Sequence, residues 1–172
     1  MRTTGGTYRG RQLAAPRDQR VRPTSDRTRQ AIFNILEHSA LVPGFSLDGA
    51  RVIDLFAGTG ALGIEALSRG AAHATFLDND AAVVKLIGEN LRKLGETGNA
   101  KVVRADATRP PPGREPCDLA PLDAPRLGTH WGLRAVDAFD RPGEFARSDL
   151  SRGCVRLAGA RDARHRRLGD SA

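Results

Sequence analysis

Between residues 51 and 105, short apolar runs typical of strands alternate with stretches in which apolar residues recur at helical spacing. The run RVIDL is short and largely apolar, and a glycine-rich turn separates it from a stretch with helical spacing that ends near Gly70. The stretch HATFLDND has the composition of a second strand, which closes on Asp78. Strands that alternate with helices over short loops are typical of parallel βαβ units.

The same alternation continues for one more helix and one more strand. DAAVVKLIGENLRKLG predicts a helix with Asn79 or Asp80 as its N-cap and Gly95 as its stop. AKVVRADA then predicts a third strand, which ends at Asp106. We therefore expect an α/β fold of the Rossmann-like type, with a doubly wound and mostly parallel sheet.

A further helix is predicted upstream, within RPTSDRTRQAIFNILEHS. Thr24 or Ser25 can cap it, and Asp26 suits the positive end of the helix dipole. Helical spacing places four apolar residues on one face and leaves Arg27 and Arg29 on other faces. The four residues are Ala31, Ile32, Ile35 and Leu36.

The chain is strongly basic, with 27 lysines and arginines against 20 acidic residues and a net charge of +7. Excess positive charge favours a polyanionic partner, most simply a nucleic acid. The alternative is compositional, because only three of the basic residues are lysines and a GC-rich gene would be rich in arginine. We expect a phosphate-binding surface formed by Arg2, Arg9, Arg11, Arg20, Arg22, Arg27 and Arg29.

A glycine motif follows the first predicted strand. Gly58, Gly60 and Gly63 have the G-x-G-x-x-G spacing, which lets a ligand approach the backbone and exposes amide groups at a helix N-terminus. Asp78, about twenty residues further on, suits the two hydroxyls of a ribose. This combination fits NAD and S-adenosylmethionine equally well.

Two further carboxylates distinguish these cofactors. Asp54 precedes the first glycine, at a position where a dinucleotide site normally has an apolar residue, and it suits a cationic group such as the ammonium of a methionine moiety. Asp106 has the position expected for a contact with an adenine amine. Asp54, Asp78 and Asp106 end three consecutive strands and are therefore expected to converge on one crevice. The alternative is that each of them only caps a helix or a turn.

The segments GGTYRGRQL, RPTSDRTRQAIFNILEH, DLFAGTGALGIEALSRGA and FLDND together resemble the RsmD family over residues 1 to about 123. These are bacterial 16S rRNA guanine-N2 methyltransferases that use S-adenosylmethionine. The resemblance implies 16S rRNA of the assembling 30S subunit as the partner, with the segment 22–29 bordering both the cofactor and the RNA. It also implies a cofactor site formed by Asp54, Phe56, Gly58, Thr59, Gly60, Asp78, Asn79, Asp106 and Ala107.

The family carries Asp-Pro-Pro-Tyr after its fourth strand, and this chain has Asp123, Ala124, Pro125 and Arg126 at the matching positions. An Asp side chain and a proline carbonyl can accept the hydrogen bonds of a guanine amine, and an aromatic ring can stack on the base. The resemblance therefore makes Asp123, Pro125 and Arg126 the catalytic set, since arginine can also stack on bases. Upstream, Pro121 is poorly suited to a central strand.

The predicted organisation has three parts. Residues 1–45 form a basic, RNA-facing extension and helix, residues 46–125 form the βαβ core, and residues 126–172 form a divergent, poorly ordered tail. The tail is poor in large apolar residues, and GCVRLAG is its nearest approach to a strand. We therefore expect a sheet that is incomplete on the C-terminal side. One hypothesis is a frame shift near residues 110–125; the alternative is a divergent but functional C-terminus.

Two other functions stay open beside methyl transfer. The chain could be a relic that binds cofactor or RNA without turnover, or an NAD-dependent oxidoreductase. The sequence has no run of eighteen apolar residues and no signal-peptide pattern, and Cys117 and Cys154 lack metal-ligand spacing. We therefore expect a cytoplasmic protein with no membrane span and no metal. A monomer is the expected oligomeric state.

Overall fold

The computed structural model describes residues 1–15, 24–38, 45–107 and 117–120, and the backbone of two short strands further on. Within these residues the chain forms three helices and six strands. They are α1 (Asp26–His38), β1 (Arg51–Leu55), α2 (Ala61–Ser68), β2 (His73–Asp78), α3 (Ala81–Leu94), β3 (Ala100–Arg104), β4 (Leu119–Ala120), β5 (Gly132–Ala135) and β6 (Cys154–Leu157).

The strands form one sheet with the order β3-β2-β1-β4-β6-β5. The first four strands in this order pair in parallel, and β6 then runs antiparallel to β4 and parallel to β5. Parallel neighbours need crossover connections, which α2 and α3 supply between β1, β2 and β3. The predicted α/β fold with a mostly parallel sheet is confirmed.

Helix α2 is buried along its whole length, as expected for a short helix that is apolar on nearly every side. It packs closely on β2, because a Cβ atom added at Gly63 would lie 2.3 Å from Cε1 of Phe76. The third glycine of the motif therefore permits close helix-to-strand packing.

The predicted helix ends are confirmed, and the structure decides between the alternative caps. The Ser25 hydroxyl accepts a hydrogen bond from the Thr28 amide at 3.1 Å at the start of α1. The Asp80 carboxylate accepts from the Ala82 amide at 2.7 Å at the start of α3, and Gly95 ends that helix in the left-handed conformation. Strand β3 ends at Arg104, two residues before the predicted end.

The predicted apolar face of α1 is correct for Leu36 and for Ile32, which is partly buried against the core, and wrong for Ala31 and Ile35. Arg29, Phe33 and Leu36 are the buried residues, whereas Ala31 and Ile35 are exposed. The buried face of α1 thus includes Arg29, whose Nη1 and Nη2 have hydrogen-bond partners while its buried Nε has none among the described residues.

An N-terminal arm, residues 1–14, folds back on itself. The Thr3 amide donates to the Arg11 carbonyl at 3.0 Å, and the Leu13 amide donates to the Met1 carbonyl at 3.0 Å. The arm is attached to the C-terminal end of α2, where the Thr7 amide donates to the Ser68 carbonyl at 2.6 Å. This attachment is not predictable from the local sequence pattern.

On the C-terminal side, β4 is only two residues long, and Pro121 lies outside the described residues. The sheet does not stop there, because Leu119 pairs with Leu157 of β6. Strand β6 coincides with the GCVRLAG segment, while β5 has no apolar pattern that could have predicted it. No helix in the described part of the chain is both long and apolar enough to span a membrane.

Gly6→Ala is expected to loosen the arm or destabilise the protein. Gly6 has a φ of +71°, and its added Cβ would lie 1.7 Å from the Ser68 carbonyl oxygen. The positive φ costs about 1–2 kcal/mol, and the steric overlap adds about 1–3 kcal/mol. Urea denaturation measures the loss in free energy of unfolding.

Gly10→Ala is the matched control, because Gly10 has a φ of +81° with no atom within 4 Å of the added Cβ. It should show only the conformational cost. Equal losses in the two variants would contradict the close attachment of the arm to α2.

Candidate cofactor-binding site and basic surface

The carboxyl ends of the parallel strands bring the predicted carboxylates to one edge of the sheet. Leu55 at the end of β1 pairs with Leu77, and Asp78 at the end of β2 pairs with Arg104. Asp54 lies one residue before the end of β1, and Asp106 lies two residues beyond β3. The three aspartates therefore lie at the same edge, where ligands of open parallel sheets bind.

The glycine loop, residues 56–60, connects β1 to α2 in an unusual backbone conformation. Phe56, Gly58 and Gly60 have positive φ angles of 58°, 53° and 75°. The Ala57 amide donates to the Leu77 carbonyl at 2.9 Å, and the Gly60 amide donates to the Ala57 carbonyl at 2.7 Å. A positive φ at a non-glycine residue costs of order 1–3 kcal/mol, and such strain is often found at functional sites.

Asp54 supports the start of α2. Its side chain is only 1% exposed, and its Oδ2 accepts a hydrogen bond from the Gly63 amide at 2.9 Å. Gly63 lies in the first turn of the helix, where amides have no partner within the helix and negative charge is favourable. The Oδ2 atom of Asp54 thus makes a helix-capping contact. Capping was the alternative to ligand binding that the sequence left open for this residue.

Asp78 joins the glycine loop to the next turn. Its Oδ2 accepts from the Gly58 amide at 3.0 Å, and its Oδ1 accepts from the Asp80 amide at 3.0 Å. Asn79 is exposed beside it, and the Asn79 carbonyl accepts from Nε of Arg104 at 3.2 Å. The two carboxylate oxygens thus hold the ends of two loops that follow neighbouring strands.

The other predicted cofactor residues lie close to this edge. Asp106 is exposed, while Ala107 is buried in a small apolar cluster with Leu55 and Leu77, against which Phe56 packs. Phe56, which is only partly buried, therefore provides an apolar side chain at the strand ends beside the carboxylates.

Thr59, the residue between the two glycines of the loop, is buried. Its hydroxyl donates to the sulfur of Met1 at 3.5 Å, and its carbonyl accepts from Nδ2 of Asn90 at 3.4 Å. Asn90 is not among the residues predicted from the sequence. The signal was a polar residue on the buried face of α3, at helical spacing from Val83 and Ile87.

The predicted catalytic residues Asp123, Pro125 and Arg126 lie outside the described residues, as do Arg20 and Arg22. Across the part of the chain that is described, no group of three or more His, Cys, Asp and Glu side chains could hold a metal ion.

Among the predicted RNA-contacting residues, Arg2, Arg9, Arg11 and Arg27 are exposed. Their guanidinium groups are therefore accessible from solvent on the arm and on the first turn of α1.

Arg29 requires a correction, because it is fully buried and does not belong to an exposed phosphate-binding surface. Its Nη1 donates to the Thr24 carbonyl at 2.7 Å, and its Nη2 donates to the Asp26 carboxylate at 2.7 Å and to the Arg2 carbonyl. Burying a guanidinium is tolerable only with such partners.

The charge of Arg29 also affects Asp26. Partial burial raises the pKa of Asp26, but the hydrogen bond and charge of Arg29 outweigh burial and bring the pKa below its ordinary value of 3.8. A lowered pKa in the folded state stabilises the protein above that ordinary value. This contribution is lost as the pH falls through the pKa of the folded state.

The fold and the site together define a class of protein: a Rossmann-like α/β domain with a glycine loop after its first strand. The family model described as "Conserved hypothetical protein 95" matches residues 1–123, and the chain belongs to this family. The match ends where the resemblance in sequence ends, at Asp123.

The curated relatives confirm the resemblance to the RsmD family. Ribosomal RNA small subunit methyltransferase D of Escherichia coli (strain K12) is 44% identical over 107 residues, which cover 62% of this chain and 50% of that protein. YlbH of Bacillus subtilis (strain 168), provisionally named an rRNA methyltransferase, is 43% identical over 109 residues, covering 63% of this chain and 55% of that protein. The chain thus spans about half the length of these relatives.

A solved structure supports the fold. The Escherichia coli protein yhhF, provisionally named a methyltransferase, is 42% identical in sequence and has a TM-score of 0.52. The alignment covers 63% of this chain and 53% of that chain. The predicted Rossmann-like methyltransferase fold is therefore confirmed for the matched part.

Arg29→Ala is expected to destabilise the protein by about 2–4 kcal/mol, because it removes the shared donor of two backbone carbonyls and leaves Asp26 without its close partner. Arg27→Ala, at an exposed position of the same helix, should change the free energy of unfolding by less than about 0.5 kcal/mol. Urea denaturation of the two variants makes the comparison. Similar small losses in both would contradict a structural role for Arg29.

Proposed function

We propose that this chain binds S-adenosylmethionine at the glycine loop and transfers its methyl group to the exocyclic N2 amine of a guanine in 16S rRNA. The observation that carries the proposal is the meeting of the glycine loop with Asp54, Asp78 and Asp106 at one edge of the sheet. The names of the relatives support rRNA as the substrate and methyl transfer as the reaction.

The chemistry of these side chains fits S-adenosylmethionine. The ligand presents a ribose diol, an adenine amine and an ammonium group, all of which are hydrogen-bond donors. Each oxygen of Asp78 accepts one backbone amide, and a carboxylate oxygen has a second lone pair with which it could accept from a ribose hydroxyl. Asp106 is exposed and could accept from the adenine amine, and the buried charge of Asp54 favours a cation nearby.

The same acidic character argues against the NAD-dependent alternative. Asp54 is the carboxylate that distinguishes the two cofactors, because Asp78 suits the ribose of either one. A negative charge buried beside the glycine loop would repel a pyrophosphate and attract the ammonium group of S-adenosylmethionine. The relatives also carry names of methyltransferases, not of oxidoreductases.

The exposed arginines of the arm and α1 would hold the RNA backbone. Arg2, Arg9, Arg11 and Arg27 are all accessible. The Arg2 carbonyl accepts from Arg29 of α1, so the arm and the helix lie side by side and can present these charges together. Contacts of this kind bind phosphates without reading sequence.

For the transfer itself, Asp123 and Pro125 would accept the hydrogen bonds of the guanine amine and aim its nitrogen, and Arg126 would stack on the base. When bound, S-adenosylmethionine supplies an activated methyl group on a sulfonium, so orientation provides most of the rate enhancement. The chain departs from the family at Ala124 and Arg126, so cofactor binding and transfer need separate tests. Because the proposed substrate is ribosomal, we expect the chain to act in the cytoplasm, and we propose that it acts as a monomer.

The test measures S-adenosylmethionine binding by calorimetry and labelled methyl transfer to unmethylated 30S subunits. The wild type is expected to do both. Asp78→Asn should weaken cofactor binding about 10- to 100-fold, because hydrogen bonds to a charged carboxylate are worth about 1.5–3 kcal/mol.

Asp48→Asn is the matched control, since Asp48 is an exposed carboxylate near the opposite end of β1 and should leave binding unchanged. Cofactor binding without transfer would favour the inactive relic and point to the loop at residues 123–126. No binding by the wild type would contradict the proposed function.

A further inference from the structure

Asn90 pairs with the end of the N-terminal arm. It lies on α3 and is 1% exposed. Its Oδ1 accepts from the Ala14 amide at 2.8 Å, and its Nδ2 donates to the Ala14 carbonyl at 3.1 Å. The side-chain amide thus satisfies both backbone groups of one arm residue, as a strand neighbour would.

The same side chain reaches the glycine loop. Nδ2 of Asn90 also donates to the Thr59 carbonyl at 3.4 Å. A second link comes from the other end of the arm, where the sulfur of Met1 accepts from the Thr59 hydroxyl at 3.5 Å. The arm therefore contacts Thr59 directly through Met1, and indirectly through Asn90.

Helix α3 also supports the loop next to Thr59. A Cβ atom added at Gly60 would lie 3.2 Å from Cγ1 of Ile87, which is one turn before Asn90 on the same helix. The loop conformation, with its two left-handed glycines, is thus held between α3 and the arm.

We propose that Asn90 is a positioning residue that couples the N-terminal arm to the glycine loop, so that RNA bound to the arm raises the affinity for S-adenosylmethionine. This inference rests on the proposed function for the identity of the two ligands. RNA on Arg9 and Arg11 would hold the arm in place, and the arm would hold Thr59 through Asn90 and Met1. A loop that is already ordered binds its ligand more tightly, and the coupling acts equally in both directions.

The first test needs no ligand. Hydrogen exchange of the Gly58 and Gly60 amides is measured in the ligand-free wild type, in Asn90→Ala and in Asn99→Ala. Asn99 is exposed and donates to Glu96 at 2.9 Å, so its replacement removes an amide away from the loop. We expect about tenfold faster exchange in Asn90→Ala and no change in Asn99→Ala.

The second test measures the dissociation constant of S-adenosylmethionine with and without an unmethylated 16S rRNA transcript. The wild type and Asn99→Ala should bind S-adenosylmethionine at least about fivefold more tightly with RNA. In Asn90→Ala this ratio should fall well below the wild-type value, because only the weak Met1 contact with Thr59 remains. A merely structural role would change stability and leave this ratio unaltered.

If Asn90→Ala does not fold, Asn90→Ser carries the same tests, because its small neutral hydroxyl brings no buried charge and is too short to bridge Ala14 and Thr59. The inference would be overturned if the Asn90 variant kept two wild-type values. These are the hydrogen-exchange rates of the Gly58 and Gly60 amides and the ratio of S-adenosylmethionine affinities with and without RNA. A wild type that does not bind S-adenosylmethionine would defeat the proposed function instead. Exchange of the loop amides would then still decide whether Asn90 positions the loop.

Discussion

The burial of the Glu65 carboxylate is the constraint that joins the N-terminal third of the chain to the sheet. A buried charge is tolerated only when it is paired and hydrogen-bonded. Glu65 on α2 is fully buried; it pairs with Arg69 at 2.9 Å and accepts from the amide and hydroxyl of Thr4 at 2.8 and 2.6 Å. Arg69 also forms an ion pair with Glu37 of α1, with 2.8 Å between Nη1 and Oε2. The Arg69 guanidinium lies 5.3 Å from the ring centre of Phe33. One carboxylate therefore ties the arm, α1 and α2 together.

The helix that carries this charge also begins at the glycine loop. Asp54 binds the first turn of α2, and Gly63 lets the helix approach Phe76 closely. Helix α2 is short and buried along its length, with the arm attached at its C-terminal end and the glycine loop at its start. The basic surface and the proposed cofactor site are thus connected through one helix, as the proposed transfer from a bound cofactor to RNA requires.

Local pattern was enough to predict the βαβ core and its caps, because strand, glycine turn and helix are each specified by neighbouring residues. The burial of Arg29 could not be predicted this way, since it depends on the carbonyls of Thr24 and Arg2, and the second of these is distant in sequence. The attachment of the arm to Ser68 and the contacts of Asn90 are likewise long-range pairings of polar groups. The three carboxylates were predictable because parallel strands share one carboxyl edge.

The most direct test of the account is a measurement of backbone amide chemical shifts by nuclear magnetic resonance during titration with S-adenosylhomocysteine, the demethylated product of the cofactor. The account predicts that the amides of Gly58, Gly60, Asp78 and Asp106 shift together with one affinity. The amides of Gly95 and Gly98, which lie at the end of α3 and in the turn after it, should shift little. Shifts confined to residues away from the glycine loop, or no shifts at all, would contradict the assignment of this edge of the sheet as the cofactor site.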